Sequence, residues 1–96
     1  MSKIVYAESF LKDTDQIWSS RVIRKLERVL RTIEMFPESG STNIPDSLKY
    51  QYGSDVRKYP VPPFELIYIY DSRKNLVSVM ELKPSKKEFK SPEDAQ

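Results

Sequence analysis

The sequence predicts an α+β domain in which an N-terminal strand and a helical hairpin pack on a small, mainly antiparallel sheet of about four strands. Three observations lead there. A chain of 96 residues with 39% hydrophobic content and only two glycines fits one compact core. Apolar residues recur at helical spacing between residues 22 and 36. Residues 54–83 read as successive strands separated by polar or proline-containing turns. One domain is expected over residues 1–90, followed by a flexible charged tail at residues 91–96.

Lys3-Ile-Val-Tyr-Ala7 forms the first strand. Ser9 is placed to cap a first helix whose Phe10, Thr14, Ile17 and Trp18 share one side, with Trp18 in the core. Ser19 or Ser20 caps a second helix, in which Val22, Leu26, Val29, Ile33 and Phe36 recur at steps of four and three and Ile23 and Leu30 widen the stripe. That stripe, Phe36 included, is assigned to the core. The helix ends near Phe36-Pro37, and Ser39, Gly40, Ser41, Thr42 and Asn43 supply a loop.

Leu48-Lys-Tyr-Gln-Tyr52 reads as a brief strand and residues 54–59 as a better one, running to Pro60-Val-Pro-Pro63, where the missing N–H groups force a turn. Phe64-Glu-Leu-Ile-Tyr-Ile-Tyr-Asp71 is a central strand because both of its faces are apolar. Phe64, Leu66, Tyr68 and Tyr70 share one face, and Glu65, Ile67, Ile69 and Asp71 the other. After the turn Ser72-Arg-Lys-Asn75, a last strand over residues 76–82 alternates Leu76, Met80 and Leu82 against Val77, Val79, Glu81 and Lys83. The sheet face away from the helices is expected to stay open.

The chain has no cysteine and no histidine, which excludes disulfides, thiolate or imidazole zinc sites, and imidazole acid–base catalysis. Any chemistry must use Lys, Arg, Tyr or carboxylates. No apolar run approaches the roughly 18–20 residues that cross a bilayer, and Met1-Ser-Lys-Ile-Val5 lacks the apolar core of a signal peptide, so a cytoplasmic protein without membrane contact is expected. The net charge of +2 is uninformative. The uneven placement is not: Arg21, Arg24, Lys25, Arg28 and Arg31 crowd one segment, and Lys83, Lys86, Lys87 and Lys90 another.

Together, the strand and helical hairpin, the helix end Ile33-Glu-Met-Phe-Pro37 followed by Gly40, the Val56-Arg57 strand and Phe64-Glu-Leu-Ile-Tyr68 resemble the RelE/ParE toxins of bacterial type II toxin–antitoxin systems. The resemblance covers residues 3–89. Phe64-Glu-Leu-Ile-Tyr68 is similar to that family's aromatic-Arg-apolar-apolar-Tyr strand. The resemblance implies a growth-inhibiting, plasmid-stabilising toxin silenced by a cognate antitoxin. It implies action as a ribosome-dependent mRNA interferase, the first choice, or as a DNA gyrase poison; a non-toxic relative serving only as an interaction module is a further reading.

In the nuclease branch the resemblance implies catalysis without metal or cofactor, by Lys and Arg side chains from the sheet and a basic or aromatic residue near the C-terminus. Arg57 matches the family's strand arginine, Lys86 or Lys87 its C-terminal arginine, and Lys49 lies near the region that supplies lysines. Glu65 stands where the family has arginine. The terminal Tyr or His is absent unless Phe89 takes its place, where it can stack but cannot move a proton.

Read from the residues alone, cleavage of RNA through its 2′-hydroxyl needs a base, an acid and cations for the developing phosphorane charge. Arg57 would be the electrostatic clamp. Lys83, Lys86 or Lys87 would be base or acid, and Tyr52 or Tyr59 would stack on a base. The alternative is that Arg57 pairs with Asp55, Glu65 or Glu81 and the lysines form a solvated edge that discourages strand pairing. Arg24, Arg28 and Arg31 fall on one helix side and serve either as a partner-docking surface or as an ordinary solvated face with a Glu27–Arg31 pair. Tyr68 and Tyr70 are assigned to sheet packing. A nucleolytic centre requires these cations to gather on the open sheet face.

Overall fold

Ser19 sets the start of the longest helix: its hydroxyl accepts from the Val22 N–H at 3.3 Å, satisfying a donor that the first helical turn leaves unpaired. In the computed structural model, which describes residues 1–85, this helix is α2 (Ser20–Met35), preceded by β1 (Lys3–Tyr6) and α1 (Glu8–Thr14). A short 3₁₀ turn (Pro37–Ser39), α3 (Asp46–Tyr52), β2 (Val56–Val61), β3 (Phe64–Asp71) and β4 (Leu76–Pro84) follow. The sheet order is β1-β4-β3-β2, with β1 parallel to β4 and the other pairs antiparallel. The α+β class and the central position of β3 are as predicted.

The stripe Val22, Leu26, Val29 and Ile33 buries α2 against Phe10, Val61, Leu66, Tyr68, Val77, Val79 and Leu82. Each such side chain contributes about 1.5–3 kcal/mol of burial. A β-bulge decides which residues of β4 join this core. Ile67 pairs with Glu81 but Tyr68 with Val79, so Met80 is skipped. Strict alternation separates Val77 and Val79 from Leu82; the bulge reverses the parity and puts all three on the α2 face.

Beyond the end of β1, α1 takes over the edge of β4. The Ala7 N–H donates to the Val79 carbonyl, the Ser9 hydroxyl to the Met80 carbonyl at 2.7 Å, and the Leu82 N–H to Asp13 Oδ2 at 3.0 Å. Ser9 is therefore not the helix cap; α1 begins at Glu8 after Ala7, which makes no side-chain cap. Because α1 stops at Thr14, Trp18 lies in the connection to α2 and is 95% exposed, outside the core to which periodicity assigned it. Phe36 is likewise 62% exposed, since α2 ends one residue earlier and the backbone there leaves the helical region.

Residues 48–52 form a helix, not a strand. Pro45 sits at the N-cap position with Asp46 in the first turn, Leu48 and Tyr52 one turn apart face the sheet, and Gly53 at φ +96° ends the helix in a conformation open to glycine. Pairing Leu48, Tyr50 and Tyr52 on one strand face would have buried Tyr50, which is 95% exposed. Ile44, Leu48, Val56 and Ile67 make a second core cluster on the sheet face opposite α2, with Tyr52 and Ile69 against it. That face is consequently covered in part by α3. On the outer edge of β2, Lys58 exchanges backbone hydrogen bonds with Ser41, and Pro60 occupies the next outward position, where no donor is needed. Among the described residues no helix is long and apolar enough to cross a membrane.

Candidate functional site

The tightest polar constellation joins the sheet to the turn after α2. Arg57 and Tyr68 are direct partners across β2 and β3. The Tyr68 hydroxyl accepts from the Gly40 N–H at 2.9 Å and donates to the Pro37 carbonyl at 2.7 Å. Arg57 Nη1 donates to the carbonyls of Glu38 at 2.9 Å and Gly40 at 3.0 Å. Gly40 is required by proximity: a Cβ there would stand 2.4 Å from the Tyr68 hydroxyl oxygen. Burial raises the Tyr68 pKa, although the Gly40 N–H and the Arg57 charge oppose the shift. The phenol therefore remains neutral and keeps both hydrogen bonds. A small polar cavity beside the clamp is lined by Arg57, Glu38, Asp55, Thr42 and Ser54 among others, so its one cation faces two carboxylates.

The other predicted catalytic residue within the described region lies elsewhere. Lys83 pairs in register with Glu65, and residues 65 and 68 of β3 point to opposite faces, so Lys83 is on the α3 side while Arg57 is on the α2 side. On the α3 side, Lys58 Nζ lies 3.9 Å from Glu65 Oε2. The Tyr52 hydroxyl donates to Glu81 Oε2 at 2.6 Å. Burial and then the Glu81 carboxylate push the Tyr52 pKa up, which holds the phenol protonated. Cations and carboxylates thus alternate across this surface. Among the described residues Arg57 is a structural clamp whose partners are backbone carbonyls, not Asp55, Glu65 or Glu81.

Tyr59 is half-buried against the main core beside Leu66, and Lys49 is exposed on α3. Tyr59 is on the α2 face of the sheet, away from Lys83 on the α3 side, whereas Lys49 lies one turn before Tyr52 on α3. Arg24, Arg28 and Arg31 are exposed on α2. Lys86, Lys87 and Phe89 lie outside the described residues. Sequence reasoning passed over Lys58, although Lys58, adjacent to Arg57 on one strand, had to face the opposite side; it offered Glu81 as a partner of Arg57, where the structure pairs it with Tyr52. Among the described residues no group of three or more His, Cys, Asp and Glu side chains could hold a metal ion.

The arrangement of strand, helices and three-stranded meander is shared with solved bacterial toxins. Isolated Escherichia coli RelE matches with a TM-score of 0.67 at 16% identity, covering 100% of both chains. The intact E. coli RelBE toxin–antitoxin complex matches with a TM-score of 0.67 at 18% identity, over 90% of this chain and 99% of the other. A metal-bound toxin from Helicobacter pylori matches with a TM-score of 0.65 at 17% identity, over 91% of this chain and 98% of the other. No curated protein matches the sequence significantly. The fold is that of the RelE-type toxins. The family model described as the ParE toxin of the type II toxin–antitoxin system, parDE, matches residues 4–89, and the chain belongs to that family.

Proposed function

We propose that this chain is the toxin of a type II toxin–antitoxin pair, held silent by a cognate antitoxin, and that it arrests growth by binding its target without cleaving RNA. The target that the ParE resemblance implies is DNA gyrase, in the cytoplasm. Support for an antitoxin comes from the family and from the likeness to RelE bound to RelB.

The observation that carries the non-cleaving reading is the division of Arg57 from Lys83. RNA cleavage needs a cation clamp beside a base and an acid. Arg57 is engaged by two backbone carbonyls on the α2 face, and Lys83 sits beside Glu65 on the other face. Ribosome-dependent mRNA cleavage would have to draw its machinery from Lys86 and Lys87.

Induction of the chain in bacteria tests this. Growth arrest with a DNA-damage response and intact messages is expected. Messages cut at the ribosomal A site would replace the gyrase reading with the nuclease one, and continued growth with abundant soluble protein would refute a toxin of either kind.

A further inference from the structure

The two flanks of α2 carry opposite charge. Arg21, Lys25 and Arg28 follow at steps of four and three, so they form one row along the helix, to one side of the buried stripe of Val22, Leu26, Val29 and Ile33. Glu27 and Glu34, two turns apart, share the other side. The Ser2 N–H donates to the Glu34 carbonyl at 3.0 Å, which sets the acidic side toward the start of β1. The sheet edge opposite β1 is β2, against which α2 also packs, so the cationic row runs along the β2 side. Glu27 meets Arg24 and Arg31, three and four residues away, but is six, two and one residues from Arg21, Lys25 and Arg28, where helical side chains do not face each other. Among the described residues the single ion pair is Lys58–Glu65, so the row is not paired from another element either. At its N-terminal end Trp18, one residue before the Ser19 cap, is 95% exposed, and the one ring pair among the described residues is Tyr6 with Phe10.

A row of cations ending on an open indole combines the two means by which proteins hold a nucleic-acid single strand, charge along the backbone and a ring for an unstacked base. We propose that this row seats an unpaired stretch of DNA, with phosphates beside Arg21, Lys25 and Arg28 and a base stacked on Trp18. The choice of DNA over RNA rests on the gyrase reading above; the charge and the stacking do not. At a rise of 1.5 Å per residue, Arg21 and Arg28 are about 10 Å apart along the axis, over which a strand at 3.4 Å per phosphate presents about three phosphates. Arg21 and Arg28 are exposed, and half-buried Lys25 lays its stem along the helix while its ammonium reaches solvent. A duplex keeps its base faces inside its own stack and would leave the indole unused. Carboxylates of an acidic protein would meet the cations and give the indole no second ring.

Trp18 is the one tryptophan of the chain, so its fluorescence reads the contact directly. Titrating the full chain with an oligomer of about twelve thymidines should quench it. The logarithm of the binding constant should fall against the logarithm of salt with a slope of about −2, for three phosphates at about −0.7 each. Replacing Arg21, Lys25 and Arg28 together by Gln should weaken binding at least tenfold and bring the slope near zero. Trp18→Ala, followed by the anisotropy of an end-labelled oligomer, should weaken it at least fivefold and leave the slope unchanged. Circular dichroism should show every variant folded. Absence of quenching at low salt, or variants within twofold of the unaltered chain, would overturn the proposal. Equal affinity for the matching duplex would overturn the stacking, and equal affinity for polyglutamate would reassign the row to an acidic protein. A uridine oligomer bound at least tenfold more tightly would overturn DNA as the occupant. Cut messages in induced cells, with the thymidine oligomer still quenching Trp18 and preferred to uridine, would refute the gyrase reading and leave this site standing.

Discussion

Arg57 and Tyr68 face each other across β2 and β3, and both side chains end on the same four-residue turn, Pro37–Gly40. Between them they satisfy three carbonyls and one N–H of a segment that has no strand or helix partner of its own for those groups. The pair therefore ties the end of α2 to the sheet, and a residue that sequence alone offers as a catalytic cation is explained by backbone satisfaction.

Tyr68→Phe should destabilise the protein by about 1–3 kcal/mol, because it leaves the Gly40 N–H and the Pro37 carbonyl buried without a partner. Gly40→Ala should destabilise it by a similar amount of about 1–3 kcal/mol through overpacking against the Tyr68 ring. Urea denaturation of each variant measures both, and the double variant should lose less than the sum because the two residues share one contact.

Leu48→Ala should lower stability by about 2–5 kcal/mol, since Leu48 is buried against Val56 and Ile67. Amide exchange should show the loss first in α3, while α2 remains protected. A surface strand at residues 48–52 would give a much smaller effect.

Alkaline titration should reveal two tyrosines that resist ionisation, Tyr52 and Tyr68, both raised from 10.0 by burial first. Their folded pKa values exceed the unfolded one, so the stability they contribute is fully present below about pH 10 and is lost as pH rises beyond it. Tyr52→Phe should make the decline shallower, read as the slope of unfolding free energy against pH.

Trp18 is the one tryptophan of the chain and is 95% exposed. Its fluorescence maximum should barely move on unfolding, and acrylamide should quench it as readily in the native protein as in denaturant. Trp18→Ala should change stability by less than about 0.5 kcal/mol.

Periodicity made α2 and β3 legible because both are long and each buries a regular stripe. Trp18 and Phe36 broke the same rule for a local reason: their helices end before reaching them, and a helical spacing counts only within the helix. The bulge at Met80 left no mark, since one extra residue in a strand changes parity without changing composition. Residues 48–52 misled because two tyrosines favour strands, whereas Pro45, Asp46 and Gly53 mark the boundaries of a short helix. For the site, the identity of Arg57 could be read but its face could not, because opposite-facing Arg57 and Lys83 become distinguishable only once the register of β2, β3 and β4 is known.

The most direct test is to measure stability and toxicity together in Arg57→Ala. The clamp account predicts a loss of about 1.5–3 kcal/mol in urea unfolding, with growth arrest preserved at a temperature where the variant is still folded. Unfolding indistinguishable from the unaltered chain, together with complete loss of toxicity, would contradict it and return Arg57 to a catalytic role.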